Sequence, residues 1–264
     1  MTIYFLGGGN MAAAIINGLK KAQPNASIVV AERNPEQATK LSEKLGVQTA
    51  ASLPALSAQD VLVLAVKPQD MQAACAGVQH NGALILSIAA GLSVATLSRY
   101  LNGATRIVRI MPNTPSHVGL GVAGMFAEAN ISAADREIAD GIMAASSQTV
   151  WLENENQMHA ITGISGSGPA YVFYLLNALQ TAAQEQGFDL KDARALSLAT
   201  FKGAVALAEQ SGEEFAQLQQ NVTSKGGTTH EAIETFKREN VAASIGKGVA
   251  ACVARSQELA QLFD

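Results

Sequence analysis

Charged side chains are scarce in this sequence: Lys, Arg, Asp and Glu make up 15% of the residues, whereas hydrophobic residues make up 48%. A monomer of 264 residues usually carries more polar surface, so we expect some apolar surface to be shared between subunits. The net charge of -4, without a Lys/Arg cluster, argues against a nucleic acid or an anionic membrane as partner. Neither a basic leader nor a long apolar stretch precedes the first strand pattern, which predicts no signal peptide, no transmembrane span and a cytoplasmic protein.

Several catalytic motifs are missing as well. The sequence has no P-loop, no C-x-x-C and no H-E-x-x-H, and Ser-Gly-Ser-Gly at residues 165–168 does not fit the G-x-S-x-G of a nucleophile elbow. Cys75 and Cys252 lie in Ala- and Val-rich helical contexts, which are more typical of buried thiols than of a disulfide or metal pair. His117 and His230 lie near candidate loops, where a surface or capping role is commoner than a catalytic one. We therefore expect no metal site.

A glycine-rich turn follows directly on the first strand pattern. Apolar Ile3–Leu6 leads into Gly-Gly-Gly-Asn-Met-Ala at residues 7–12, which is a G-x-G-x-x-A pattern, and a helical run comes next. Gly7 permits the tight turn, Gly9 lets the backbone approach a pyrophosphate, and Ala12 lets the helix pack closely on the sheet. The helix N-terminus then offers unpaired N–H groups to the phosphates. The predicted cofactor contacts in this loop are Gly7, Gly9, Asn10 and Met11.

The end of the second strand pattern bears on the type of dinucleotide. Ile28–Ala31 is followed by three polar residues, at the spacing from the glycine loop where residues that bind the adenosine ribose are usually found. Glu32 would accept hydrogen bonds from the ribose hydroxyls of NAD, whereas Arg33 and Asn34 favour the 2′-phosphate of NADP. Both signals are present, and we expect NADP(H) to be preferred over NAD(H).

The first half of the chain alternates strand and helix patterns, which predicts a Rossmann-like, doubly wound parallel sheet. Further strands are predicted at Val61–Ala65, Leu84–Ser87, Thr105–Arg109, Gly121–Phe126 and Thr149–Leu152. Helices are predicted at Pro35–Lys44, Met71–Ala76, Val94–Leu101 and Ala133–Ala145. We assign residues 1–156 to this α/β, dinucleotide-binding domain.

Strand patterns stop beyond Asn156, and we assign residues 157–264 to an all-helical dimerisation and substrate domain. Pro169 stands just inside a helix that runs to about Gln186 and is apolar nearly all round in its first turns. Such a helix needs cover on every side, which favours an intertwined dimer over a monomer. Asp189 is the predicted cap of the next helix, and later helices are predicted at residues 213–221, from Thr228 onward, and at residues 242–262.

Ligands of open α/β folds bind outside the carboxyl ends of the strands, and three loops of this sequence fall there. The candidate cofactor contacts in these loops are Val66, Lys67, Pro68, Ala89, Ala90, Pro112 and Asn113. Ordinary strand-to-helix turns contain the same residue types. Lys67 is either a solvated lysine or a contact to cofactor oxygens, and residues 112–115 suit a wall beside the nicotinamide.

The helical domain holds one more candidate, the loop Val222–Thr229. Gly226 and Gly227 expose backbone N–H groups, hydroxyls flank them, and a helix begins immediately afterwards, which suits a small carboxylate. A flexible interhelix loop with an N-cap threonine explains the same residues, so both interpretations stay open at this point.

Six blocks taken together resemble pyrroline-5-carboxylate reductase. They are residues 7–12, Ala65–Gln69, Ser87–Gly91, Arg109–Pro115, Ser165–Tyr171 and Val222–Thr229. They span both predicted domains in the family's order, which makes the set far more specific than any one block. The resemblance implies a Rossmann domain, a helical dimerisation domain, and NAD(P)H-dependent reduction of 1-pyrroline-5-carboxylate to L-proline by a homodimer or larger homo-oligomer.

The resemblance also implies residue roles. Ser224, with Gly226, Gly227 and Thr228 beside it, would hold the substrate carboxylate, and the Thr229 hydroxyl would lie near the ring nitrogen. Ser224 and Thr229 are thus the expected catalytic residues. A protonated C=N carbon is already electrophilic, so alignment with the nicotinamide matters more than a strong general base.

The sequence departs from the family pattern at two positions. Lys225 stands where the family usually has proline, and Asn177 stands where a helix usually carries glutamate. Lys225 removes a rigid residue and adds a charge beside the expected carboxylate pocket, which bears on loop stiffness and substrate affinity and not on the reaction type.

Two other functions are compatible with parts of this pattern. A β-hydroxyacid or related imine reductase shares the cofactor domain, but a hydroxyacid enzyme needs a lysine or histidine acid near the carbonyl, and the helical block shows none. A non-catalytic NADP-binding scaffold is disfavoured by Ser224, Thr229 and both glycines. Oxidation of NAD(P)H with the imine would separate the three.

Overall fold

The computed structural model describes residues 1–263, which contain eight strands and eleven α-helices. The strands are β1 Ile3–Leu6, β2 Ile28–Ala31, β3 Gln48–Ala50, β4 Val61–Leu64, β5 Leu84–Ser87, β6 Ile107–Met111, β7 Gly121–Ala127 and β8 Ser147–Trp151. The helices are α1 Asn10–Ala22, α2 Pro35–Leu45, α3 Pro68–Cys75, α4 Val94–Tyr100, α5 Ala133–Ala144, α6 Gln157–Ile161, α7 Gly168–Glu185, α8 Leu190–Ser211, α9 Phe215–Asn221, α10 Thr228–Arg238 and α11 Val241–Ala260. A 3₁₀ turn spans Thr114–Val118, and a π-helical turn spans Thr162–Gly166.

The eight strands form one sheet in the order β3-β2-β1-β4-β5-β6-β7-β8. Neighbouring strands are parallel except for β6 and β7, which are antiparallel. The connection between those two, residues 112–120, contains only the 3₁₀ turn and is too short for the crossover of a dozen or more residues that parallel pairing requires. The predicted class, an α/β sheet followed by helices, is confirmed, with this one antiparallel pair as a correction.

Predicted element boundaries differ from the structure in a few places. Strand β6 begins at Ile107 and not at Thr105, and β8 begins at Ser147 and not at Thr149. The sequence pattern does not predict the short edge strand β3, because Gln48 and its two neighbours show no apolar alternation. Helix α9 begins at Phe215, two residues after the predicted start.

Hydrophobic side chains fill both faces of the sheet. All four residues of β4 are buried, with Val61 and Val63 in the layer that contains α1, and Leu62 and Leu64 in the layer that contains α3. This explains the continuous apolar run, since a parallel strand covered on both faces has no polar side. Cys75 is buried in the second layer, and burial raises the pKa of its thiol to about 11. Cys252 is only partly buried and, like Cys75, is a free thiol.

The chain divides into two compact units. The first comprises Met1–Ser167 and the C-terminal segment from Cys252, and the second comprises Gly168–Ala251. This division falls later than the predicted domain boundary between residues 156 and 157, because α6 packs on β7. A Cβ on Gly124 of β7 would lie 2.6 Å from Cγ1 of Ile161 in α6, so the Ile161 side chain packs directly on the backbone of β7.

The second unit is built around the contact between α7 and α8. Within it, α7 has no buried residue among those described, although its first turns are apolar. Phe173 and Tyr174 are 65% and 76% exposed in the single chain. No helix among residues 1–263 is both long and apolar enough to cross a membrane.

Candidate active site

The turn from β1 into α1 has the geometry that a dinucleotide loop needs. Gly7 has a φ of +98°, and a Cβ there would lie 2.8 Å from the Val66 side chain, so only glycine fits. Nothing lies within 4 Å of a Cβ on Gly9, the residue that precedes α1. No side chain caps this helix, so the first N–H groups, at Asn10 and Met11, are available to a phosphate.

Loops after β1, β2, β4, β5 and β6 meet at the carboxyl edge of the parallel strands, as predicted. A groove at this edge is lined by Gly7, Glu32, Arg33, Ser52, Leu53 and Val66 among others. Lys67 is exposed and precedes α3, in which Pro68 is the first residue. Ala89 is buried while Ala90 is exposed. The glycine loop after β1 lies between the loop after β2 and the loops after β4, β5 and β6 along this edge.

Two residues expected to bind the adenosine ribose form hydrogen bonds within the protein. The Glu32 carboxylate accepts hydrogen bonds from the N–H groups of Gly8, at 2.9 Å, and Asn34, at 2.8 Å. Asn34 is the N-cap of α2, and its side-chain oxygen accepts from the N–H groups of Glu36 and Gln37. Arg33 is exposed and forms no hydrogen bond or ion pair within residues 1–263. Of the three, Arg33 has the freest side chain.

Asn113, in the loop after β6, holds two segments of the first unit together. Its side-chain oxygen accepts from Val122 N at 2.8 Å, and its side-chain nitrogen donates to Ser165 O at 2.9 Å. Both Pro112 and Asn113 are buried. These two hydrogen bonds fix the position of the loop after β6, in which the cofactor contact of Asn113 is expected.

A charged cluster that the sequence patterns did not single out lies beside the loop after β5. Arg109 of β6 forms an ion pair with Glu155, and a small cavity beside Arg109 is also lined by Ala90, His159 and Ser256. His159 Nδ1 lies 2.9 Å from the Ser256 hydroxyl. Burial, and then the charge of Arg109, lower the pKa of His159, which favours its neutral form.

In the second unit, the loop before α10 is a tight turn. Gly227 N donates to Ser224 O at 3.0 Å, and Gly226 has a φ of +71°, the left-handed value that glycine tolerates. Gly227 precedes α10 and provides no side-chain cap. The Ser224 hydroxyl contacts the position that a Cβ on Gly227 would occupy.

This geometry changes one detail of the expected carboxylate pocket. The N–H of Gly227 is already bonded to Ser224 O, so it is not free for a ligand. Donors without a hydrogen-bond partner among the described residues include the Ser224 hydroxyl, the N–H of Gly226 and the first N–H groups of α10, at Thr228 and Thr229, whose side chains are exposed. His230 is half-buried in the same turn of the helix, and His117 is exposed in the first unit.

The sheet order and the glycine loop define a Rossmann-type dinucleotide-binding protein with a helical second region. Residues 2–91 match the family described as NADP oxidoreductase, coenzyme F420-dependent, and residues 155–259 match the pyrroline-5-carboxylate reductase dimerisation family. The class is therefore that of NAD(P)-dependent oxidoreductases.

Relatives that match this chain over its whole length identify one family within this class. Pyrroline-5-carboxylate reductase of Haemophilus influenzae is 40% identical over 99% of this chain and 98% of its own length, and that of Pseudomonas aeruginosa is 39% identical over 98% and 97%. A solved pyrroline-5-carboxylate reductase from Coxiella burnetii has a TM-score of 0.90 at 36% identity, with 98% of both chains covered. The Plasmodium falciparum pyrroline carboxylate reductase with NADP bound has a TM-score of 0.85 at 25% identity, again with 98% of both chains covered. This chain belongs to the pyrroline-5-carboxylate reductase family.

Proposed function

We propose that the protein transfers hydride from NAD(P)H to the imine carbon of 1-pyrroline-5-carboxylate and so forms L-proline, the last step of proline biosynthesis. The main observation that supports this proposal is the loop before α10. A tight glycine turn there presents the Ser224 and Thr229 hydroxyls at a helix N-terminus with no side-chain cap. The partial positive charge of that terminus suits a carboxylate. The same chain carries a dinucleotide loop at the start of α1.

The proposed roles follow from the donors that are free. Ser224 Oγ and the N–H groups of Thr228 and Thr229 hold the carboxylate, with Gly226 and Gly227 giving the turn its shape. When bound, NAD(P)H supplies the hydride. As hydride arrives at the imine carbon, the electron pair of the C=N bond moves to nitrogen, which keeps its proton and becomes the amine of proline. Thr229 Oγ1 hydrogen-bonds this nitrogen while its charge changes, so its contribution is largest in the transition state.

Steady-state kinetics with single variants test these roles. Ser224→Ala is expected to raise the KM for the imine with little change in kcat, because the carboxylate contact is the same in ground and transition states. Thr229→Val is expected to lower kcat by roughly tenfold to a thousandfold, the scale of one lost transition-state donor. Thr200→Val, which removes a hydroxyl bonded to Leu196 O within α8, is the matched control and should leave both constants unchanged.

Two results would contradict the proposal. If the wild-type protein does not oxidise NADPH or NADH in the presence of the imine, the activity is wrong. If Thr229→Val keeps full kcat, the hydroxyl is only part of the first turn of α10 and does not stabilise the ring nitrogen in the transition state.

We further propose a preference for NADP(H) over NAD(H), supported by the exposed Arg33 side chain at the adenosine end of the groove. Assembly as a homodimer or larger homo-oligomer is supported by the exposed apolar side chains of α7. The domain boundary between residues 156 and 157 and a cytoplasmic location stay predictions from the sequence.

A further inference from the structure

Both backbone groups of Gly8, the middle glycine of the loop, are held by side chains from the connection between β2 and α2. The N–H of Gly8 donates to Glu32 Oε2 at 2.9 Å, and its carbonyl oxygen accepts from Gln37 Nε2 at 2.8 Å. The other Glu32 oxygen accepts from Asn34 N, and Asn34 in turn caps the helix turn that carries Gln37. The contacts form a closed network, which we call the Gly8 clasp: Gly8, Glu32, Asn34 and Gln37.

The Gly8 clasp fixes the part of the chain with the greatest conformational freedom. Three consecutive glycines lose more backbone entropy on ordering than any other tripeptide, so a loop ordered only by its ligand would weaken binding. With Gly8 held on both sides and Gly7 pressed against Val66, the loop is shaped before a ligand arrives. The N–H of Gly8 is turned toward Glu32, which leaves the N-terminus of α1 to the phosphates.

We propose that Gln37 is a positioning residue for the dinucleotide: it touches neither cofactor nor substrate, and it raises cofactor affinity by holding the glycine loop through the carbonyl of Gly8. This inference rests on the proposed placement of the dinucleotide at that loop. Without its contact to the glycine loop, half-buried Gln37 would be assigned a role in stability alone.

Gln37→Met tests the proposal, because methionine has a similar volume and no donor. We expect the Kd and the KM for NADPH to rise about three- to tenfold, the effect of one neutral hydrogen bond, with the KM for the imine and the kcat at saturating NADPH unchanged. Amide exchange of residues 7–9 in the cofactor-free protein should become faster, while that of β1 should not. Thr39→Val is the matched control, since it removes a bond from the Thr39 hydroxyl to Pro35 O on the same helix without reaching the loop.

The outcomes distinguish a wrong cofactor placement from a wrong role for Gln37. If NADPH does not slow amide exchange of residues 7–11 in the wild-type protein, the dinucleotide is not at this loop, and the placement is wrong. If NADPH does slow it and Gln37→Met binds NADPH as tightly as wild type, the positioning role is overturned. A purely structural role would lower the urea midpoint of Gln37→Met and affect both substrates alike, which also overturns it.

Discussion

Glu155 Oε1 lies 2.6 Å from Arg109 Nη1 and 2.7 Å from the backbone nitrogen of Val94, so one carboxylate oxygen joins strand β6 to the start of α4. Arg109 has only 8% of its side chain exposed, and Glu155 has 28%. Helix α4 follows the loop that contains Ala89 and Ala90, two of the expected cofactor contacts. The ion pair therefore fixes the start of the helix that follows that loop.

Removing Glu155 should be costly because it leaves a buried guanidinium without its partner. We expect Glu155→Ala to lower the free energy of unfolding by about 2–4 kcal/mol, measured by urea denaturation. Glu155→Gln should cost less, since it keeps an acceptor for Val94. Glu153→Ala, at an exposed glutamate of the same segment, is the control, and equal effects of Glu153→Ala and Glu155→Ala would contradict the prediction.

A second ion pair predicts a pH dependence of stability. Two hydrogen bonds from Arg106, at 2.6 and 3.2 Å, hold the pKa of the Asp135 carboxyl below its usual value. Since the pKa is lower in the folded than in the unfolded chain, the stabilisation is complete above the unfolded pKa, about 3.9, and is lost as pH falls through the folded value. Asp135→Asn should thus be less stable than wild type at pH 7 and lose less stability between pH 5 and pH 3. Urea midpoints across this range measure it, and an unchanged slope would count against the pair, with Asp70→Asn as an exposed control.

Lys225 occupies the second position of the turn that begins at Ser224, a position at which proline is favoured. Lys225→Pro should keep the loop shape and stabilise the protein by about 0.4–1 kcal/mol, because it restricts the unfolded chain. Lys225→Ala removes the charge without stiffening the loop and should leave stability nearly unchanged. Thermal unfolding of both variants tests this, and a destabilised Lys225→Pro would show that the turn differs from the one described.

The cofactor preference is tested at Arg33. Arg33→Ala should raise the KM for NADPH by about tenfold or more, the loss expected for one charge-assisted contact, and leave the KM for NADH nearly unchanged. Steady-state kinetics with both cofactors measure it. An equal effect on both would assign the ribose to Glu32 instead.

The exposed apolar face of α7 predicts an obligate oligomer. A charge at Val172, 43% exposed in the single chain, or at half-buried Leu176 should give aggregated or unfolded protein, because an unpaired charge cannot be buried in a subunit interface. Sedimentation of the wild-type protein at nanomolar concentration provides the test. An active monomer at that concentration would contradict the prediction of an obligate oligomer.

The sequence by itself determined the elements whose signals are local. Gly7 marks the turn after β1 because its φ is positive, and the apolar run at Val61–Leu64 marks a strand covered on both faces. Asn34 is the N-cap of α2 and precedes Pro35, which is a local pattern, and its expected cofactor contact stays a prediction.

Tertiary structure alone decided the contacts between residues far apart in the chain. Glu155 reaches Arg109 and Val94, Asn113 reaches Ser165, and Gln37 reaches Gly8 only after the sheet has brought their elements together. The antiparallel orientation of β7 likewise follows from the length of the segment that connects it to β6 and not from the residues of β7 itself. A hydrophobic pattern records which face of an element is buried, whereas the partner of a polar side chain depends on which elements the folded chain places beside it.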